Sequence, residues 1–431
     1  MLSSYLPSLV TNILLIISVP LWVVNAASSS LTRRERFPSV EERVKLYASN
    51  WYEPPCEVSD QYRWMKSQDS LTVSNITFGL DVIPDQTFYI TKDILLDCAR
   101  EEGDDAPLPS TSHHIQFRHN MRMYCIDCVE MMDLMDHHLR RKEDSSIPIL
   151  IQYGDSKTSH VYGLVQLPHF KKFRSGALSP TALQNAVTSC QRRPLQTFHS
   201  TDVMQPIIWK LATHRHYRYL PEVFSHDTPW EKKKNQAIFR GQLTGARDAY
   251  VKHDEASMNC QKMRRCRLVV TMNNNTYVDA KLTTTRGRLP DVVDGVTLVG
   301  MTITLREMMT YKGIIMMEGN DVASGLKWAL LSQSIVLMPP PKHTSWCMEE
   351  LLQPWVHYIP LKEDASDSDE KMKWVIENDQ KARKISERGT LWMEDMIFHP
   401  DAAREERLIK EELLRRYFAH FPNVAVSRKK K

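Results

Sequence analysis

The chain has 431 residues and lacks a large excess of charge of either sign. Its 56 lysine and arginine residues are nearly balanced by 52 aspartate and glutamate residues, which leaves a formal net charge of +4. No basic stripe with interleaved aromatic residues is present, so nothing in the charge pattern indicates nucleic-acid binding. The basic run at residues 428–431 is interpreted as a solvated tail.

The N-terminal segment has no lysine or arginine before its apolar run, which covers residues 9–24 (LVTNILLIISVPLWVV). The run is slightly short for the ~20 residues of a membrane-spanning helix. Small residues suited to signal peptidase follow at 25–27. We expect residues 1–26 to be a cleaved signal peptide or an uncleaved membrane anchor, and both place the rest in the secretory pathway. No KDEL-type signal ends the chain, so secretion stays open beside residence in the endoplasmic reticulum or Golgi lumen.

The glycosylation sequons and the number of cysteines are consistent with a protein of the secretory pathway. Asn75 and Asn274 each begin an Asn-X-Thr triplet, which predicts two glycosylation sites. The 8 cysteines are an even number, as disulfides in an oxidising lumen require. Cys260 and Cys266 are spaced for a small loop disulfide. The pair Cys125 and Cys128 has redox or zinc spacing, but a second CxxC is absent, so we expect a structural disulfide for one or both.

The length predicts two domains rather than one. The best division is a hinge within residues 221–235, around Thr228-Pro229-Trp230. We therefore predict an N-terminal domain over 27–225, a C-terminal domain over 226–400, and a C-terminal helix with a basic tail over 401–431.

Short apolar runs alternate with helical patterns, which favours parallel sheets covered by helices. The runs expected to be buried strands cover residues 147–153, 237–239, 268–270, 313–317 and 335–338. The patterns expected to be helices cover residues 123–139, 323–331, 370–387 and 402–418.

The strand at 237–239 runs into a loop with the sequence RGQLTGARD. Glycine lets a backbone approach a phosphate closely, and guanidinium forks match phosphate oxygens in pairs. The loop therefore supplies candidate phosphate-binding residues, although a tight turn with surface arginines would have the same pattern. The candidates are Arg240, Gly241, Thr244, Gly245 and Arg247.

A second strand, at 313–317, runs into Glu-Gly-Asn-Asp and then into a predicted helix. Asn320 or Asp321 is placed to cap that helix, whose N-terminal amides would form an anion site. A capped helix with no ligand is the alternative interpretation. The candidate ligand-binding residues are Gly319, Asn320, Asp321, Ser324 and Lys327.

These two segments, with the later run PWVHYIPL, resemble glycosyltransferase family 90, which contains protein O-glucosyltransferases and capsule xylosyltransferases. The resemblance covers about residues 200–400. It implies a GT-B architecture, an α/β fold of two Rossmann-like domains that face each other across a cleft. It also implies transfer of glucose or xylose from a UDP-sugar, with inversion and without a bound metal or other cofactor. The acceptor would be a hydroxyl of a protein or glycan.

Inversion needs one general base, and the resemblance places it at Asp155, just after the strand at 147–153. A turn-forming Gly-Asp pair is the alternative role for this residue. Asp321 and Glu350 are fallback carboxylates. The sequence departs from the family at Leu326, where an arginine for the phosphates is expected; Lys327 beside it lacks the bidentate fork.

Two other functions stay open. A lumenal binding protein that is catalytically silent could keep the same fold to recognise glycans or proteins. A thiol oxidoreductase could use Cys125 and Cys128. Histidines 214 and 216 could hold a metal, but we interpret them as a surface pair, like those at 113–114 and 137–138.

Overall fold

The architecture comes from a computed structural model, which describes residues 37–52, 124–139, 151–152, 169–176, 205–245 and 255–420. The α-helices are α1 Val40–Ala48, α2 Cys125–Leu139, α3 Thr213–Tyr217, α4 Leu220–His226, α5 Ala256–Lys262, α6 Arg264–Thr271, α7 Leu305–Met308, α8 Leu326–Leu331, α9 Ser368–Glu377, α10 Asp379–Met393 and α11 Ala402–Ala419. The strands are β1 Ile151–Gln152, β2 Phe170–Lys171, β3 Phe173–Ser175, β4 Ile207–Ile208, β5 Lys234–Gln242, β6 Val278–Thr284, β7 Val292–Val293, β8 Val296–Thr297, β9 Tyr311–Ile315, β10 Ile335–Met338, β11 His343–Ser345 and β12 Ile359–Pro360.

A five-stranded parallel sheet organises the C-terminal half, in the order β12-β10-β9-β5-β6. Its central strands are continuous apolar runs because parallel strands with helices on both faces are buried on both sides. All four residues of β10 are buried, for example. The strands predicted at 237–239 and 335–338 are confirmed, and the one predicted at 313–317 ends earlier, at Ile315.

The strand order reverses between β5 and β9. From β5 the chain adds β6 on one side, then returns to place β9, β10 and β12 on the other. Neighbouring parallel strands whose connections leave in opposite directions open a crevice at their carboxyl ends, where α/β proteins bind ligands. The two glycine-containing loops follow β5 and β9, so the fold brings them to this switch point.

Helices cover the sheet, with α6 against β6, α9 against β5 and β6, and α8 and α10 against β10. The strand predicted at 268–270 was wrong, because these residues belong to α6. A helical repeat was overlooked: Met263, Cys266, Val269 and Met272 recur every three residues, and all four are buried.

Other helix predictions were confirmed at two places and corrected at two. α2 and α11 confirm the helices predicted at 123–139 and 402–418. The helix predicted at 370–387 is two helices, because the backbone at Asn378 leaves the helical region (φ −117°, ψ 43°). The helix predicted at 323–331 starts later, at Leu326.

Parallel pairing also occurs in the N-terminal half, where β1, β2 and β4 form a three-stranded sheet. β1 lies inside the strand predicted at 147–153, and the rest of that prediction lies outside the described residues. β3 pairs with β11 in antiparallel register, which joins the segment 169–176 to the C-terminal half. No helix of the described residues is long and apolar enough to cross a membrane.

The two disulfide predictions have different outcomes. Cys260 and Cys266 form a disulfide, as the spacing predicted. Cys128 is buried on α2. The structural disulfide expected for one or both of Cys125 and Cys128 stays a prediction.

The packing of the central sheet predicts that Gly313→Ala destabilises the domain by about 1–3 kcal/mol. A Cβ at Gly313 would lie 2.9 Å from Leu337 Cδ1 and 3.0 Å from both Ala237 Cβ and Met372 Sδ. Urea denaturation measures the loss. Ala237→Gly is the matched partner, since it removes one of the opposing atoms. The double variant should lose less than the sum of the two single variants, and strict additivity would contradict the proposed overlap.

Candidate functional site

The loops after β5 and β9 touch through their backbones at the switch point. A Cβ on Gly245 would lie 2.7 Å from the carbonyl oxygen of Gly319, and Gly245 also adopts φ +85°. A Cβ on Gly319 would overlap the hydroxyl of Thr244. Side chains are therefore excluded at both glycines, and two backbone segments predicted to bind the same ligand lie side by side.

Asn320 joins the two loops instead of capping a helix. Its side-chain oxygen accepts a hydrogen bond from the amide of Gly245 at 3.1 Å. α8 begins at Leu326 with Gly325 at its N-cap and no side-chain cap, so the prediction that Asn320 or Asp321 caps this helix was wrong. Ser324 lies in the turn before α8 and is half-buried.

Three guanidinium groups converge on the end of β5. Arg265 donates from Nη1 to the carbonyl of Gln242 at 2.7 Å and from Nη2 to the carbonyl of Met317 at 2.6 Å. Arg286 donates to the side-chain oxygen of Gln242 at 3.0 Å, and Nη1 of Arg288 lies 3.5 Å from the carbonyl of Leu243.

These three arginines share a second property. Among the described residues, no carboxylate forms an ion pair with Arg265, Arg286 or Arg288. Burial, with a smaller effect from the charge of Arg264, lowers the pKa of Arg265 to about 10. Asp321 offsets only part of the charge of Arg265. Positive charge without an ion pair among the described residues, beside two glycine-containing loops, forms a candidate site for an anion.

Sequence reasoning missed all three arginines. Two signals could have found them. Arg286-Gly287-Arg288 follows β6 at the same sheet edge, with the glycine at φ +67°, and so repeats the pattern of glycine between arginines. Arg265 lies in the first turn of α6, which was taken for a strand.

The two predicted cations that the structure describes have carboxylate partners. Arg240 pairs with Asp279, with Nη1 at 3.0 Å and Nη2 at 2.9 Å from its carboxylate oxygens. Lys327 is fully buried, and its Nζ lies 2.6 Å from Glu349 Oε1. Lys327 is therefore inside the domain, whereas Arg240 is partly exposed, and a phosphate contact by either residue would first need its ion pair to open.

Asp321 connects the loop after β9 to the N-terminal half. Its carboxylate lies 2.5 Å from Nζ of Lys172, and both side chains are buried. Glu318, in the same loop, accepts from the amide of His343 at 2.9 Å. The loop after β9 is therefore held by Lys172 of the segment 169–176 and by His343 of β11, the strand that pairs with β3 of that segment.

Other predicted residues are placed as follows. Gly241 lies in β5 beneath the loop, with Arg265 Nη1 3.4 Å from where its Cβ would be. Asn274 is exposed in a turn at φ +57°, which leaves its sequon accessible. Asp155, Arg247 and Asn75 lie outside the described residues, and their roles stay predictions.

The histidine pair is not a surface pair. His214 is exposed, but His216 is buried on the inner side of α3, which packs against α8. Burial, with smaller effects from the charges of Lys327 and Lys172, holds the pKa of His216 well below its usual range. Among the described residues, no three His, Cys, Asp or Glu side chains gather as a metal site would require.

Residues 220–399 match the profile of Glycosyl transferase family 90. This region belongs to glycosyltransferase family 90. It contains the five-stranded sheet and both glycine-containing loops, and the match confirms the resemblance read from the motifs at about residues 200–400.

Proteins similar to part of this chain include O-glucosyltransferases of a bacterium and of vertebrates. O-glucosyltransferase LpsA of Dichelobacter nodosus is 36% identical over 91 residues, 21% of this chain and 29% of that protein. Protein O-glucosyltransferase 2 of Danio rerio is 33% identical over 186 residues, 41% of this chain and 33% of that protein. Protein O-glucosyltransferase 3 of Homo sapiens is 35% identical over 92 residues, 21% of this chain and 18% of that protein. The chain spans at most about a third of the length of these relatives.

The contact between loops predicts that Gly245→Ala separates the backbones at the switch point. Alanine at positive φ costs about 1–2 kcal/mol wherever it occurs, and here the overlap with Gly319 adds to that cost. Gly287→Ala is the matched control, because Gly287 has φ +67° but nothing within 4 Å of its Cβ position. Denaturation should show a larger loss for Gly245→Ala, and hydrogen exchange should rise in both loops for this variant alone. Equal behaviour of the two variants would contradict the contact.

Burial of neutral His216 predicts a loss of stability in acid. The unfolded chain takes up a proton at this residue below about pH 6.5, whereas the folded chain resists it. The free energy of unfolding should therefore fall as the pH falls from about 6.5, by at most about 1.4 kcal/mol per pH unit from this residue. His216→Leu should flatten the pH dependence measured by urea denaturation between about pH 7.5 and 5.5. His214→Leu, at an exposed neighbour, should leave it unchanged; equal slopes in all three proteins would contradict this assignment.

Proposed function

We propose that the chain is an inverting glycosyltransferase, which moves glucose or xylose from a UDP-sugar to a hydroxyl of a protein or glycan. One observation carries this proposal: three guanidiniums without carboxylate partners surround two touching glycine loops at the switch point of a family 90 region. A nucleotide diphosphate is an anion whose oxygens fit backbone amides and guanidinium forks.

The arrangement of loops and arginines supports a way to stabilise UDP as the leaving group. We propose that the diphosphate lies over Gly245 and Gly319, near Arg265, Arg286 and Arg288. Charge on the leaving diphosphate grows as the bond to the sugar breaks, and fixed cations stabilise that charge most in the transition state. Guanidiniums in these positions can supply the charge that a divalent cation supplies in other transferases, so we expect transfer without a metal or other cofactor.

We propose that the acceptor side follows the GT-B plan. The parallel pairing of β1, β2 and β4 supports a second Rossmann-like sheet within residues 27–225, across a cleft from the domain at 226–400. β1 ends three residues before Asp155 in the sequence. In this proposal Asp155 removes the proton from the acceptor hydroxyl as the hydroxyl attacks the anomeric carbon.

We propose that transfer takes place in the lumen of the endoplasmic reticulum or Golgi. The disulfide between Cys260 and Cys266 supports an oxidising compartment. The exposed sequon at Asn274 is accessible for glycosylation there. The apolar run at residues 9–24 provides a route of entry, as a signal peptide or as a membrane anchor. Several similar proteins are named protein O-glucosyltransferases, which favours a protein acceptor.

Thermal denaturation with UDP, UDP-glucose, UDP-xylose and ADP tests the donor. A ligand that binds the folded state stabilises it by about 2.7 kcal/mol at a concentration of 100 times its Kd. We expect stabilisation by UDP and one UDP-sugar, and none by ADP at the same concentration. An absence of any shift with the uridine nucleotides would contradict the proposed donor.

Asp155→Asn tests the base. We expect UDP release from the donor to fall by about 10²–10⁴-fold, while the UDP-induced thermal shift is retained. The retained shift is the control, because it shows that the donor site is intact. Full turnover by Asp155→Asn would contradict the assignment. Donor binding by the unmutated protein without turnover on any acceptor would favour the binding-protein alternative.

A further inference from the structure

The disulfide between Cys260 and Cys266 lies next to the candidate donor site. It joins α5 to α6 across a break in the helix at Met263, and both sulfurs are fully buried. Arg265 lies inside the loop that the disulfide closes, directly before Cys266. The position of the Arg265 backbone is therefore fixed by a covalent bond one residue away.

Arg265 holds the two donor-side loops together from beneath. Its two Nη atoms reach the carbonyls of Gln242, at the end of β5, and Met317, after β9. Nη2 lies 3.2 Å from where a Cβ of Gly319 would be, and Nη1 lies 3.4 Å from that of Gly241. The guanidinium is thus packed directly against the glycine backbone that would face the diphosphate.

The position of Arg265 is electrostatically unfavourable for its charge. Among the described residues, Nε has no hydrogen-bond partner and no carboxylate forms an ion pair with the guanidinium, although the charge of Asp321 offsets part of the cost. Arg264 adds like-charge repulsion from the adjacent position. α6 begins at Arg264, and its N-cap residue Met263 provides no side-chain cap. A partly buried charge whose hydrogen bonds go to two carbonyls would gain by moving into water, so another constraint is needed to hold it in place.

We propose that the Cys260–Cys266 disulfide is a positioning element for donor binding, because it keeps Arg265 under the two loops. This inference rests on the proposed function for its ligand. Without the disulfide, the first turn of α6 can shift, Arg265 can turn to solvent, and the gap between Gly245 and Gly319 widens. The site then loses both its shape and one of its cations, while the acceptor side is unaffected.

A double-mutant cycle tests the proposal on the full chain. The variants are Cys260→Ala/Cys266→Ala, Arg265→Gln, and the three changes together, with Cys347→Ala as a control that removes a buried sulfur without breaking a bond. Arg265→Lys keeps the charge but not the fork. We measure UDP affinity by calorimetry, KM for the UDP-sugar against kcat, and hydrogen exchange at the loops around Gln242 and Met317.

We expect the disulfide variant to weaken UDP binding by about tenfold and Arg265→Gln by about 10–100-fold. KM should rise and kcat should fall together in both variants, because each withdraws a cation from the leaving diphosphate. The triple variant should bind UDP no more weakly than Arg265→Gln, because the disulfide acts through that residue. Arg265→Lys should recover part of the affinity, and Cys347→Ala should bind as the unmutated protein does. Loop exchange should rise in the disulfide and Arg265 variants alone.

Unchanged UDP affinity in the disulfide variant, or additive losses in the triple variant, would overturn the inference. If the disulfide variant does not fold, the Arg265 variants keep the disulfide and still decide whether this side chain controls the loops. If the unmutated protein does not bind UDP, the proposed function fails. The exchange measurement, made without ligand, then still decides the positioning inference: loops that stay protected in every variant would refute it.

Discussion

The contact between the backbones of Gly245 and Gly319 is the constraint on which the candidate site depends. It exists because β5 and β9 are neighbours whose connections leave in opposite directions, which brings their following loops to one crevice. Nothing but glycine fits at this contact. Asn320 and Arg265 then fix the spacing of the loops through hydrogen bonds to their backbones.

Charge at this edge of the sheet falls into two classes. Lys172, Arg240 and Lys327 are neutralised by carboxylates and hold parts of the fold together. Arg265, Arg286 and Arg288 bind only carbonyl or amide oxygens among the described residues, so their charge is available to a ligand. The division explains how a chain with leucine at position 326 can keep an anion site: the cations come from α6 and from the loop after β6.

Local patterns predicted the elements that are long or strongly apolar. The strand at 335–338 was predicted correctly because all of its residues are buried and apolar. The helix at 402–418 was predicted correctly because it is long enough to show a helical pattern. The run at 268–270 was too short to distinguish a strand from a helix. In the candidate site, the structure shows the close backbone approach at Gly245 and Gly319 that glycine permits, while their role in binding a ligand stays a prediction. The three arginines were not predicted, because a guanidinium at the end of a long side chain can reach in several directions.

The sequence by itself determined the family of the C-terminal region, the two glycine loops and the spacing of Cys260 and Cys266. Each of these depends on residues close together in the chain. The tertiary structure alone decided which cations face the crevice, because that depends on where distant carboxylates lie. Asp279 and Glu349 pair with Arg240 and Lys327, whereas Arg265 donates hydrogen bonds to the carbonyls of Gln242 and Met317, which are far apart in sequence. Electrostatic pairing acts through space, so the chain order of the charges does not reveal it.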